Sequence, residues 1–119
     1  MQRVAVDTSF LIFMAKRRIG RERVEDAVGG PVQFYTSQGV LRELNHISRS
    51  ARSSAPDAAL ALTLARTLNM QVIPSVETPD KWLLKQPLIA TVDLKLAREA
   101  RERGVSVISI TKSNRIVIT

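Results

Sequence analysis

The sequence has no cysteine and a single histidine, His46. The first absence excludes thiolate zinc sites and cysteine nucleophiles and agrees with a reducing compartment. The second leaves no basis for a metal site built from imidazoles. Long apolar runs are missing too: the longest, Phe10 to Ala15, is far too short to span a bilayer. Met1-Gln2-Arg3 leads into a strand without a secretory signal, so the expectation is a cytoplasmic protein. No internal repeat, low-complexity tract or linker divides the 119 residues, which predicts one domain over residues 1–119.

Negative charge is also in short supply. Eleven Asp and Glu stand against 18 Lys and Arg, for a net charge of +7 and an isoelectric point near 10.8. Such an excess favours a polyanionic partner, nucleic acid above all. The preference for Arg over Lys suits phosphate recognition, though it also accompanies a high-GC genome or a thermophilic habit.

The chain is organised around Val4-Ala5-Val6-Asp7-Thr8-Ser9, a short β-branched run that stops on a carboxylate and two hydroxyls before the apolar segment Phe10 to Met14. That pattern predicts a buried strand delivering an acid to its C-terminal end, the edge where ligands sit in open α/β sheets. Thr8 or Ser9 would cap a helix closed by Gly20, and a further helical turn or two is expected within Arg23 to Val28. Further strands are expected at Val32 to Tyr35, Gln71 to Ile73, Leu88 to Ala90 and Val105 to Ile110, with a short edge strand at Ile116 to Ile118. Between them, Ser37 would cap a helix burying Val40, Leu44, Ile47 and Ala51. Pro56 would open one burying Leu60, Leu64 and Leu68, and Thr78 would cap a short one through Trp82. Leu94 to Arg103 would bury Leu94, Ala97 and Ala100 and end at Gly104. Strands alternating with helices imply a parallel sheet covered on both faces.

Four acids stand where strands give way to helices or on a helix flank: Asp7, Glu43, Asp80 and Asp93. Asp7, Asp80 and Asp93 each also suit the first turn of a helix, where a carboxylate accepts free N–H groups. Glu43 does not, and no Lys or Arg lies three or four residues from it. Gathered at one sheet edge, such carboxylates repel unless arginines pair with them or a cation lies among them. An oxygen-only set suits a hard divalent ion, Mg²⁺ or Mn²⁺, which activates water and stabilises a phosphodiester leaving oxygen. Arg17, Arg18, Arg21 and Arg23, and the loop residues Arg49 and Arg52, are candidate RNA contacts. They read equally as solvated faces. His46 reads as a surface residue and Trp82 as a core anchor. A receiver-like phosphoacceptor shares this size, but it needs adjacent acids after the first strand, where Thr8 stands.

The segments Val4-Ala5-Val6-Asp7-Thr8-Ser9-Phe10, Gly39-Val40-Leu41-Arg42-Glu43-Leu44, Pro79-Asp80-Lys81-Trp82-Leu83 and Ile89-Ala90-Thr91-Val92-Asp93-Leu94-Lys95-Leu96 resemble, in order, the motifs of a PIN domain. The whole chain is covered, and it looks most like small archaeal PIN proteins related to the small-subunit rRNA-processing nuclease. The resemblance implies a three-layer α/β/α Rossmann-like fold with a central, mainly parallel sheet of four to five strands. It implies that Asp7, Glu43, Asp80 and Asp93 hold one or two Mg²⁺ or Mn²⁺ ions for cleavage of single-stranded RNA, in rRNA processing or as a VapC-type toxin. Ser9 and Thr91 would support them through hydroxyl hydrogen bonds. A homodimer is expected by the same likeness, and an antitoxin partner only for a toxin. The rival expectation is a non-catalytic RNA-binding ribosome-assembly factor with a degraded site. Three departures stand out: Lys81 replaces a second acid of the third motif, Val92 replaces a polar residue, and the interval from Asp80 to Asp93 is short.

Overall fold

A computed structural model describes all residues from Met1 to Thr119. Strand β1 (Gln2–Val6) alternates its side chains between two faces, Val4 and Val6 on one and Ala5 on the other, all fully buried. A strand buried on both sides needs a cover on each, and the remaining elements supply it. They run α1 (Thr8–Arg17), α2 (Arg21–Val28), β2 (Val32–Ser37), α3 (Gln38–Ser48), α4 (Ala55–Thr67), β3 (Gln71–Ile73), α5 (Pro79–Leu83), β4 (Leu88–Ala90), α6 (Leu94–Glu102), β5 (Ser106–Ile110) and β6 (Ile116–Ile118).

The sheet has six strands in the order β3-β2-β1-β4-β5-β6, one or two more than the resemblance implies. Five are parallel, and β6 returns antiparallel along β5 through a tight turn. The chain winds outward from β1 to β3, then crosses back to lay β4 on the other side of β1. The order therefore reverses between β1 and β4, and at such a switch point the loops diverge and leave a crevice beyond the C-terminal ends of the strands.

The two covers differ in thickness. A core of 19 buried residues joins one sheet face to α1, α2, α3 and α4, while 10 buried residues join the other face to α5 and α6. In the thinner layer Trp82 meets Tyr35 edge to face, with ring centroids 5.7 Å apart. Tyr35 donates its hydroxyl proton to Gln86 Oε1, and Gln86 Nε2 donates to the Trp82 carbonyl, which fastens the end of α5 to the sheet. No helix is long and apolar enough to cross a membrane.

Several local expectations are corrected. Helix α4 buries Ala58, Ala61 and Ala65, not a leucine stripe: Leu60 is 52% exposed, Leu64 is half-buried, and only Leu68, at the C-cap, is fully inside. Small side chains let α4 approach α1 and α3 closely, which a row of leucines would prevent. Helix α6 buries Leu96, Ala97 and Ala100, leaving Leu94 81% exposed beside Asp93. Ala51 lies beyond the end of α3 and is exposed. Arg18, at φ 55°, takes the left-handed position that ends α1, whereas Gly20 precedes α2 in extended conformation. Asp7 is the N-cap residue of α1 and Thr78 that of α5, but neither side chain makes a capping bond; Ser37 does, accepting from the Val40 N–H.

The α4 packing predicts an asymmetry opposite to the leucine-stripe expectation. Ala61→Leu forces extra volume into a closed interface and should cost about 1–3 kcal/mol, while Leu60→Ala should cost roughly 1 kcal/mol or less. Urea unfolding midpoints of the two variants test this.

Candidate metal centre

Asp7, Glu43, Asp80 and Asp93 line one cavity of about 320 Å³, together with Thr8, Ser9, Ile12 and Ile47. Each arrives on a different element: Asp7 at the end of β1, Glu43 midway along α3, Asp80 in the first turn of α5 and Asp93 before α6. The cavity lies at the switch point between β1 and β4. Glu43 and Asp80 owe their proximity to a close approach of α3 and the segment leading into α5. A Cβ on Gly39 would sit 3.1 Å from the Glu77 carbonyl oxygen, and Arg42 Nη2 donates to the Ser75 carbonyl.

Asp7 is 5% exposed and the most constrained of the four. The hydroxyls of Ser9 and Thr91 both donate to its Oδ2, each at 2.8 Å. Those hydroxyls in turn accept backbone N–H groups, Ser9 from Val92 and Thr91 from Asp93. Each hydroxyl carries a single proton, so the 3.1 Å separating Ser9 Oγ from Thr91 Oγ1 is an approach of two oxygens already engaged with the same carboxylate. The relay locks the end of β1 to the loop after β4 and aims donors at one carboxylate oxygen only.

The electrostatics are those of an uncompensated acidic pocket. Burial pushes the Asp7 carboxyl above its ordinary value against the lowering effect of the Ser9 and Thr91 hydroxyls and the Thr8 backbone N–H, and Asp80 adds to the rise. Asp80 is also raised, first by burial and then by Asp93, Glu43 and Glu99, with Lys95 acting the other way. Among the ion pairs, Lys85–Glu77 and Arg103–Glu99, none includes a cavity carboxylate. Asp93 Oδ1 does accept the Lys95 and Leu96 N–H groups, so this acid caps α6 while lining the cavity.

The donors suit a hard divalent cation in kind, being carboxylate and hydroxyl oxygens without nitrogen or sulfur. In position they are spread: no three Asp, Glu or His side chains converge closely enough to hold an ion as they stand. Glu43, Asp80 and Asp93 are exposed side chains with room to turn, and their mutual repulsion favours separation. Lys81, which departs from the PIN pattern, is absent from the acidic cavity's lining and lines a neighbouring cavity with Glu77, Lys85, Glu99 and Arg103; Asp80 is common to both.

The basic residues divide. Arg21 is built into the fold, donating to the carbonyls of Val32 and Leu68 and stacking over Phe34. Arg17 lies over Phe13, Arg18 ends α1, and Arg23 donates to the Asn114 carbonyl. The 10 residues of α1 separate this cluster from Asp7 by about 15 Å, so it does not rim the acidic cavity. Arg49 and Arg52 are exposed just past Ile47, which lines it. Sequence reasoning passed over Thr8 as anything but a cap and Lys95 as anything but a solvated cation. Position after Asp7 and after Asp93 was the only signal for either.

No protein-family model and no curated protein sequence matches the chain. Among solved structures it is similar to the PIN domain endonuclease Utp24, with a TM-score of 0.80 and 20% identity, covering 98% of this chain and 90% of that one. It is also similar to a domain of a functionally unknown protein from Methanocaldococcus jannaschii DSM 2661, with a TM-score of 0.66 and 18% identity over 93% and 92% of the two chains. At such identities the likeness is one of architecture. Six strands ordered about a switch point beside β1, covered on both faces, give this chain the fold of a PIN domain.

Proposed function

We propose that the chain is a divalent-metal-dependent endoribonuclease acting on single-stranded RNA in the cytoplasm. One observation carries the proposal: four carboxylates from four distant segments line one crevice, and no Lys or Arg is ion-paired with any of them. The similar fold of a PIN domain endonuclease supports the same class of chemistry. Asp7, Glu43, Asp80 and Asp93 would hold Mg²⁺ or Mn²⁺, which would activate water and stabilise the leaving oxygen of a phosphodiester. Ser9 and Thr91 fix the Asp7 carboxylate so that one oxygen is restrained before anything binds. Arg49 and Arg52, exposed just past Ile47, would meet the RNA backbone beside the cavity, and the Arg17, Arg18 and Arg23 cluster would serve a more distant stretch. Processing of rRNA is the role we favour, on the resemblance of the sequence motifs alone.

The rival is an RNA-binding assembly factor without cleavage. It is favoured by the separation of the carboxylates, no three of which converge.

Cleavage of single-stranded RNA in Mn²⁺ separates the two. Wild type should cut, and Asp7→Asn should be slower by roughly 10²-fold or more. RNA bound by both proteins and cut by neither would select the assembly factor.

Without metal, the same variant should be more stable than wild type at neutral pH. The folded-state carboxyl of Asp7 is raised, so its contribution to stability is fully present below the unfolded-state value and is lost as pH rises through the folded one. Asparagine stays neutral throughout, so the melting temperatures should diverge at neutral pH and converge on acidification. Mn²⁺ at 100 times its Kd should restore about 2.7 kcal/mol to wild type alone. Thermal scans across pH, with and without Mn²⁺, check both statements.

A further inference from the structure

Helix α3 presents two lined faces. Glu43 and Ile47, four residues apart, line the acidic crevice, while Gln38, Leu41, Arg42 and Asn45 recur at helical spacing along another side. On that second side lie two cavities of about 390 and 440 Å³, each within the size range of a small-molecule site. They share Leu41, Leu62 and Arg66, and so form one groove between α3, the C-terminal half of α4 and the edge strand β3.

The groove changes character along its length. One cavity is walled by Leu41, Leu62, Ala65, Met70 and Val72, with Asn69 beside them. The other is polar, with Gln38, Arg42 and Asn45 around it, and Arg66 stands in both. No Asp or Glu lines either cavity, and neither arginine belongs to an ion pair. Arg42 donates through Nη2 to the Ser75 carbonyl, which leaves the rest of its guanidinium free, and both arginines are exposed. Val72 is 40% exposed on the edge strand, at the mouth of the apolar cavity.

An apolar slot beside two cations and several amides fits a ligand that joins a flat apolar body, edges with both donors and acceptors, and a negative charge. A nucleotide carries all three in one residue, whereas a peptide must gather them from several. A second copy of the chain, docked about a two-fold axis, would set these arginines against their own like charges. The net charge of +7 also favours a polyanion.

We propose, resting on the nuclease reading above, that this groove is a subsite for one unpaired nucleotide of the RNA. The base lies among Leu41, Leu62, Met70 and Val72, and its phosphate is held by Arg42 and Arg66. A base inside a duplex is paired and stacked and cannot enter, so the groove selects single strands. Groove and crevice lie on two sides of one helix, about 10 Å across, and a strand seated in the groove would cross α3 to reach the carboxylates.

Nuclear magnetic resonance titrations of the full chain without metal test this, with uridine monophosphate, adenosine monophosphate and base-free ribose phosphate as probes. The nucleotides should shift the backbone amides of Leu62, Arg66, Met70 and Val72. Ribose phosphate should shift Arg42 and Arg66 but leave Met70 and Val72 in place. Arg66→Gln should weaken nucleotide binding roughly 10-fold. A single-stranded oligoribonucleotide should move the same resonances as the nucleotides, and double-stranded RNA should not. Resonances that stay still with both nucleotides, or that ribose phosphate moves equally, overturn the proposal. So does a dimer in sedimentation that Val72→Asp dissolves, which gives the groove to a second copy, or a Glu- and Leu-rich peptide that shifts these amides when no nucleotide does. Cleavage in Mn²⁺ is followed in parallel. Groove binding as expected with no cleavage sinks the nuclease reading and keeps the subsite, while cleavage without groove shifts sinks the subsite alone.

Discussion

The Asp7 carboxylate is the constraint on which the candidate site depends. A carboxylate 5% exposed at the buried end of β1 is costly, and the fold offsets the cost with hydroxyls and not with cations. An arginine in place of Ser9 or Thr91 would neutralise the carboxylate and close the crevice. Two neutral donors leave the negative charge uncompensated while fixing its position. Because Thr91 follows β4, its bond to Asp7 joins the strands on either side of the switch point, and the Val92 N–H bond to Ser9 Oγ is a second tie across it.

Around this anchor the other three carboxylates are held less tightly. Glu43, Asp80 and Asp93 are exposed, and only Asp93 has a hydrogen-bonded tie, through Oδ1 to the first turn of α6. Partial burial raises the Asp80 carboxyl first, the charges of Asp93 and Glu43 add to it, and Lys95 opposes the rise without an ion pair. A cavity with one buried and three exposed acids keeps their repulsion uncompensated as long as nothing positive lies in it.

The order of elements was legible because strand and helix differ in period and each β-branched run ended at a recognisable stop. The convergence of Asp7, Glu43, Asp80 and Asp93 on one cavity was legible too, since ends of parallel strands share an edge whatever lies between them. What failed was the choice of buried face on helices with mixed small and large residues. In α4 the leucines and alanines both recur at helical spacing, and only the nearness of α1 and α3 decides for Ala58, Ala61 and Ala65. In α6 the first turn is tied to Asp93, which turns Leu94 outward. The basic cluster Arg17 to Arg23 was visible as charge, but its distance from the acids follows from the length of α1, and the engagement of Arg21 with two carbonyls follows from tertiary contact alone.

The placement of charge bears on what can enter the crevice. With +7 overall, the surface draws in a polyanion, yet the crevice itself repels one. Both hold for a single ligand only if its charge is met outside the cavity by arginines and inside it by something not supplied by an ionised side chain. Lys81 could have filled that role and lines a different cavity; Lys95 acts on Asp80 from the rim of α6. On the proposed reading a bound cation would meet that requirement. The local deficit of positive charge in a basic protein is the feature that, on the proposed reading, would favour a ligand arriving with a metal ion.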